Sequence, residues 1–132
     1  MTSAPPTVVT AAVIERDGKL LVARRLEGTH LAGHWEFPGG KCEPGEEIRA
    51  CLVRELLEEL GVSAAVGGEI HRTFYAYDDR RLELIFFECE IDGEPRPLLG
   101  QEIRWVARAD LRGLAFPPAD AELIEQLGKG QS

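Results

Sequence analysis

The sequence predicts an α+β protein, a mixed β-sheet packed between helices as an α/β/α sandwich. Three observations point there. Strand-like apolar runs punctuated by Asp-Gly turns occupy both halves of the chain. One strongly periodic helical segment is inserted between them, and a second closes the chain. No internal repeat or linker interrupts this order, so residues 1–132 are expected to form a single domain. That length buries a core without staples. Residues 1–6, rich in Pro and small side chains, are expected to form a flexible tail.

The elements follow in order. "TVVTAAVIER" (Thr7–Arg16) reads as a buried strand, Asp17–Gly18 as a hairpin turn, and "KLLVARR" (Lys19–Arg25) as the partner strand. "LEGTHLAGHWEFPGG" is loop-like, with glycines and Pro38 around a short apolar piece, Trp35–Phe37. Glu47 to Leu60 is the clearest helix: Ile48, Leu52, Leu56 and Leu60 form one stripe, widened by Val53 and Leu57. Gly61 stands where a left-handed residue ends a helix. Two long strands then meet at Asp78–Asp79 and end at a second turn, Asp92–Gly93. Ile103–Arg108 is a further strand, "ADLRGL" a single helical turn, and Pro118–Gly128 the last helix, with Asp120 near its start.

Composition narrows the function classes. Apolar residues make up 44% of the chain and charged residues 29%, ordinary for a soluble globular protein. No run approaches the roughly 18 apolar residues needed to cross a bilayer, and the N-terminus lacks a secretory pattern, so no membrane role is expected. Cys42, Cys51 and Cys89 have no paired spacing. They are expected to be packing residues, with no disulfide or zinc site, in a reducing cytoplasm. A net charge of -8 argues against polymeric nucleic acid and leaves open a small anionic substrate held through a divalent cation.

The chemistry is expected in "GGKCEPGEEIRACLVRELLEELGV", residues 39–62. Glu55, Glu58 and Glu59 crowd one flank of the helix, where like charges at these spacings repel. They also lie near its C-terminus, where the helix dipole disfavours anions. A hard cation such as Mg²⁺ resolves the conflict, since it takes carboxylate oxygens and joins them to substrate phosphates.

These residues match a known pattern, G-x5-E-x7-R-E-U-x-E-E-x-G-U with U a bulky aliphatic. It is filled by Gly40, Glu46, Arg54, Glu55, Leu56, Glu58, Glu59, Gly61 and Val62. The chain therefore resembles the Nudix hydrolases. The resemblance implies the Nudix fold and hydrolysis of a nucleoside diphosphate linked to a further group, dependent on Mg²⁺ or Mn²⁺. It makes Glu55, Glu58 and Glu59 metal ligands, with Glu59 the most central, and the Gly40 carbonyl a further oxygen. Arg54 would orient the carboxylates, Glu46 would position the loop or a ligand water, and Leu56 and Gly61 would be structural.

The flanks resemble the MutT branch, nucleoside triphosphate pyrophosphohydrolases that clean the nucleotide pool: "RR" at Arg24–Arg25, "WEFPGGK" at Trp35–Lys41 and "FPPAD" at Phe116–Asp120. The implied reaction releases monophosphate and pyrophosphate from a small nucleotide, either 8-oxo-dGTP or a cytidine nucleotide. Monomer and homodimer both remain open.

Substrate-binding candidates are Arg25, Glu36, Phe37, Tyr77, Arg80 and Asp120. Arg25 is either a phosphate contact or an ordinary surface arginine, and Arg80 either covers the base or decorates a turn. Phe37 and Tyr77 offer stacking surface, with core packing the alternative for Phe37. Asp120 replaces the asparagine of the MutT pattern. An ionised aspartate only accepts hydrogen bonds, which suits amino and ring N–H donors; its other role is to cap the last helix. Glu102 is either an additional metal ligand or general base, or a solvated strand end. His30, His34 and His71 are expected in surface or loop positions. The rival readings are a nucleoside diphosphate-X hydrolase, for instance on ADP-ribose, and a non-catalytic nucleotide-binding module.

Overall fold

The computed structural model describes residues 5–129. Its strands are β1 (Thr7–Arg16), β2 (Lys19–Arg24), β3 (Trp35–Glu36), β4 (Gly39–Lys41), β5 (Ser63–Tyr77), β6 (Arg80–Asp92) and β7 (Ile103–Ala107). The helices are α1 (Ile48–Leu60) and α2 (Ala121–Lys129), with 3₁₀ turns at Arg108–Gly113 and Pro118–Asp120. The strands join in one mixed sheet ordered β3-β2-β1-β6-β5, with β4 paired to β1 and β7 paired to β2. Among the described residues only β1 and β6 run parallel, from Thr7↔Leu82 to Ile14↔Cys89.

Side-chain alternation separates two cores. Ala12, Ile14, Leu21, Ile85 and Phe87 face α1 through Leu52, Leu56 and Leu60. Their sequence neighbours Ala11, Val13, Leu20, Val22 and Phe86 face the other way, towards Leu123, Ile124 and Leu127 of α2. Because both faces of β1 and β2 are covered, these strands read as nearly continuous apolar runs. This is the expected α/β/α layering.

Several expectations are corrected in detail. Val53 and Leu57 do not widen the buried stripe of α1; they are 37% and 56% exposed. The sheet covers only a narrow strip of this helix, so buried positions are confined to Cys51, Leu52, Leu56 and Leu60. Helix α1 starts one residue later than expected, with Glu47 as its N-cap accepting from the Arg49 and Ala50 amides. Gly61 ends it as foreseen, at φ 69°, a left-handed conformation that costs glycine little. The last helix is split, since the Asp120 amide bonds the Pro117 carbonyl at 3.0 Å in a tight 3₁₀ turn before α2 begins.

The cysteine expectation is overturned: Cys42 and Cys51 form a disulfide. They stand nine positions apart, but the chain leaves β4 and doubles back into α1, which brings their Cα atoms to 5.4 Å. Sequence spacing alone does not register that reversal. Cys89 is free and buried, as expected of a packing residue.

Candidate functional site

The carboxylates are assembled by one helix and one strand. Strand β4 pairs antiparallel with β1, placing Gly40 opposite Thr10, whose hydroxyl donates to the Gly40 carbonyl at 3.4 Å. Gly40 lies against Glu55 of α1, and a Cβ at Gly40 would collide with the Glu55 carboxylate. Glycine is demanded there by close approach. The carboxyl groups of Glu55 and Glu59 are neighbours, with the Gly39 backbone close by.

Arg54 organises the outer side of this cluster. Its Nε and Nη2 donate to both carboxylate oxygens of Glu46, at 2.8 and 2.9 Å. Its Nη1 reaches Glu55 at 3.0 Å and Glu58 at 3.3 Å, and Nη2 also donates to the Lys41 carbonyl. Glu46 in turn accepts from the Glu43 amide and ties the β4–α1 loop to the helix. The guanidinium holds Glu46 at about 2, well below the usual carboxylate range. Glu58 differs from Glu55: their side chains are 56% and 14% exposed. Leu56 and Gly61 serve the packing and the cap already described.

Glu59 behaves oppositely to Glu46. Burial, then the neighbouring Glu55, push it up to about 9. Two neighbouring carboxylates repel when both are ionised and one is largely buried, so the pair needs either a proton or a cation. An all-oxygen donor set of Glu55, Glu59 and the nearby Gly40 carbonyl suits a hard divalent ion. The residues present therefore fit the implied metal.

A cavity of about 650 Å³ opens beside this cluster, lined by Gly39, Gly40, Arg25, Glu36, Phe37 and Asp120, among others. Asp120 is 4% exposed. Burial and the charge of Glu36 raise it to about 7. Burial likewise raises Glu36, although Arg25 donates to it at 2.6 Å. Arg25 is held further by the His30 carbonyl, also at 2.6 Å. Phe37 is buried in the core while one side of it reaches the cavity, its ring edge-on to Phe86 at 6.1 Å and tilted on Phe116 at 5.4 Å. Arg80 is exposed at the cavity rim. The side chain of Tyr77 lies outside the described residues.

Glu102 is not brought to this cluster. It is exposed and ion-paired with Arg104 at 2.9 Å and Arg24 at 3.4 Å. Those guanidiniums flank the Trp35 ring at 4.6 and 5.6 Å, so Glu102 closes a surface clamp. His71 departs from the loop expectation: it lies within β5 with its ring tilted on Phe86 at 5.8 Å.

The sequence reading missed Thr10, Tyr75 and Gln101. Thr10 is fully buried among apolar neighbours, a signal in itself. Tyr75 lines the cavity because it pairs with Leu82 across β5 and β6, both of which reach the cavity. Gln101 donates to the Glu59 carbonyl at 3.2 Å and carried no sequence signal.

The NUDIX domain family matches residues 9–126, nearly the whole chain. The chain belongs to the Nudix family. It is 39% identical over 118 residues to the CTP pyrophosphohydrolase of Escherichia coli (strain K12), covering 89% of this chain and 87% of that protein. It is 38% identical over 122 residues to the 8-oxo-dGTP diphosphatase of Haemophilus influenzae, covering 90% and 89%. Among solved structures, the crystal structure of a MutT NUDIX hydrolase from Burkholderia pseudomallei superposes with a TM-score of 0.83 at 26% identity, covering 93% and 98%. This Nudix chain is thus MutT-like in sequence and fold, an enzyme that acts on phosphoric anhydrides. Among the described residues no helix is long and apolar enough to cross a membrane.

Proposed function

We propose that the chain hydrolyses (deoxy)nucleoside triphosphates to monophosphate and pyrophosphate in a cytoplasmic nucleotide pool, using Mg²⁺ or Mn²⁺. The observation that carries this reading is the Glu55–Glu59 pair against Gly40, at the edge of a nucleotide-sized cavity. Glu55, Glu59 and the Gly40 carbonyl would hold the ion, with the more exposed Glu58 able to serve a second one. A divalent ion bound there supplies Lewis-acid polarisation of phosphoryl oxygens and offsets the polyphosphate charge.

The chain's own groups do the rest. Arg54 fixes Glu55 and Glu58 by charge-assisted hydrogen bonds, so their oxygens converge before substrate arrives. Thr10 fixes the Gly40 carbonyl from below. Glu59, largely buried on this flank, would hold the ion as a carboxylate, the charge it otherwise carries at a cost. Arg25 stands between the metal end and the base end and offers donors to the phosphates once Glu36 turns to the base.

At the base end, Glu36 and Asp120 present two carboxyl groups, one of them readily protonated near neutrality. A protonated Asp120 both donates and accepts, which matches N3 and the N4 amino group of cytosine. Ionised, it accepts from the N1 and N2 hydrogens of a guanine edge. Both nucleotide types named for the relatives are accommodated, and the protonation state chooses between them.

Incubation with CTP, dCTP, 8-oxo-dGTP, ATP and ADP-ribose in Mg²⁺ tests the proposal. Monophosphate and pyrophosphate are expected from a triphosphate. No pyrophosphate from any triphosphate, or two monophosphates from ADP-ribose alone, would overturn it.

A further inference from the structure

We propose that Cys42 and Cys51 are a reversible thiol–disulfide site that sets how firmly the metal-side strand is held to the carboxylate helix. The bond joins the residue directly after β4 to the first turns of α1. One end of this staple is therefore two residues from Gly40, and the other is one helical turn before Glu55. Among the described residues it is the one covalent cross-link between the two halves of the cluster beyond the chain itself.

The surroundings of the sulfurs give the bond its leverage. Cys51 is fully buried, with its Sγ 4.0 Å from the Gly40 carbonyl and 3.5 Å from the Thr10 hydroxyl. The Thr10 hydroxyl is also the donor that fixes that carbonyl. In the disulfide, Cys51 has no hydrogen to give. In the dithiol, its S–H becomes a donor with two acceptors in reach, the Thr10 hydroxyl and the Gly40 carbonyl, the oxygen assigned to the metal. Reduction thus frees the loop and at the same time places a new donor in the hydrogen-bond set around its ligand oxygen. The Glu46 carboxylate lies within 4.8 Å of both sulfur positions, so loosening also reaches the Arg54 network.

Access is asymmetric, as a reducible bond requires. Cys42 is half-buried while Cys51 is sealed, so an incoming thiolate meets Cys42 first. A small dithiol attacks Cys42 Sγ, the Cys42–Cys51 bond breaks, and Cys51 leaves and takes up a proton. The second thiol of the reagent then resolves the mixed disulfide. Two electrons and two protons pass to the protein, and the reagent becomes a cyclic disulfide. A small disulfide oxidant reverses the sequence.

The coupling to metal rests on the site assignment made above; the thiol chemistry does not. Protein is prepared oxidised, or reduced with dithiothreitol that is then removed without air. Thiols are counted after denaturation, amide exchange is followed over Gly39–Cys42, and Mn²⁺ affinity is measured by spin resonance of the free ion. The expected result is one thiol, Cys89, in the oxidised form and three in the reduced form. Amide exchange should be faster when reduced, and Mn²⁺ should bind roughly 10-fold more weakly, the size of effect seen when a ligand loses its support. Cys42→Ser should match the reduced form and ignore dithiothreitol. Three thiols after oxidation, or exchange rates equal in both forms, would overturn the proposal. Equal Mn²⁺ affinities would overturn its link to metal. Mn²⁺ binding to neither form counts against the metal assignment instead, while thiol counts and exchange rates still decide this one.

Discussion

Two carboxylate pairs flank the cavity, one lining it and one packed behind Gly40, and they are built in opposite ways. Glu55 and Glu59 sit one turn apart on α1, with Arg54 beside them on the same helix. Glu36 and Asp120 come from β3 and from the 3₁₀ turn before α2, with Arg25, the residue after β2, bonded to Glu36 and lowering Asp120 by its charge. In both, burial pushes a carboxyl upwards, Glu59 to about 9 and Asp120 to about 7. The difference lies in how the strain is relieved. Under the proposed function the helical pair would hold a cation, which demands fixed spacing along one element. The second pair would read a base edge, which demands only that topology bring its members together.

The sharpest way to break this comparison is Glu59→Gln. Loss of the central oxygen ligand should lower kcat by about 10³-fold or more, the scale of a lost catalytic group. The same change removes a buried carboxyl that is costly without metal, so the metal-free protein should gain about 1 kcal/mol of stability. Pyrophosphate release and urea unfolding check the two halves. An unchanged rate would remove Glu59 from the metal site.

Gly40→Ala is the next largest. The added Cβ meets the movable end of Glu55 and not backbone, so the fold should survive while Glu55 is displaced. We expect kcat to fall by about 100-fold, in the range seen when a ligand's support is lost. Far-ultraviolet circular dichroism should be unchanged. A variant that unfolds would show that Gly40 serves the β1–β4 pairing more than the carboxylates.

At the other pair, Asp120→Ala removes a buried hydrogen-bonding group but no metal ligand. Its effect should fall on KM more than on kcat, lowering kcat/KM by about 30-fold, as for a charged hydrogen bond lost. Equal losses in kcat from Asp120→Ala and Glu59→Gln would erase the distinction between a chemical end and a recognition end.

The same contrast explains what was legible in the sequence. The helical cluster follows from residues at fixed offsets in one periodic segment, and Gly40, Glu46 and Arg54 belong to the same local pattern. The first hairpin and both long hairpin strands were likewise readable, because Asp17–Gly18 and Asp78–Asp79 mark tight local turns, whereas the parallel pairing of β1 with β6 joins segments too distant in the chain to show. What failed to show depends on chain reversals or on neighbours far away. Whether Glu102 would reach the cluster could not be told, because Arg24 and Arg104 claim it only once β2 and β7 pair. The Cys42–Cys51 bond needs the β4–α1 reversal. The exposure of Val53 and Leu57 needs knowledge of how narrow the covering sheet is. Tyr75 becomes a cavity residue only through its register with Leu82.

The smallest predicted effect is the most diagnostic of the recognition pair. Asp120 is raised to about 7 by burial, then by Glu36, against the lowering influence of Arg25. The cavity that Asp120 lines also carries Lys41, Asp78 and Arg80. Below that value it carries a proton and can donate to N3 of cytosine; above it, it only accepts. Between about pH 6 and about pH 8 the protonated fraction falls by about 10-fold, and the kcat/KM ratio of CTP to 8-oxo-dGTP should fall with it. Stability moves in the same direction. The native pKa lies above the unfolded value near 3.8, so the native state binds the proton more tightly and loses stability as pH rises through about 7. Asp120→Asn, which donates and accepts at every pH, should flatten both profiles. A ratio that still slopes in that variant would assign the titration to Glu36, and the two carboxyls would exchange roles in reading the base.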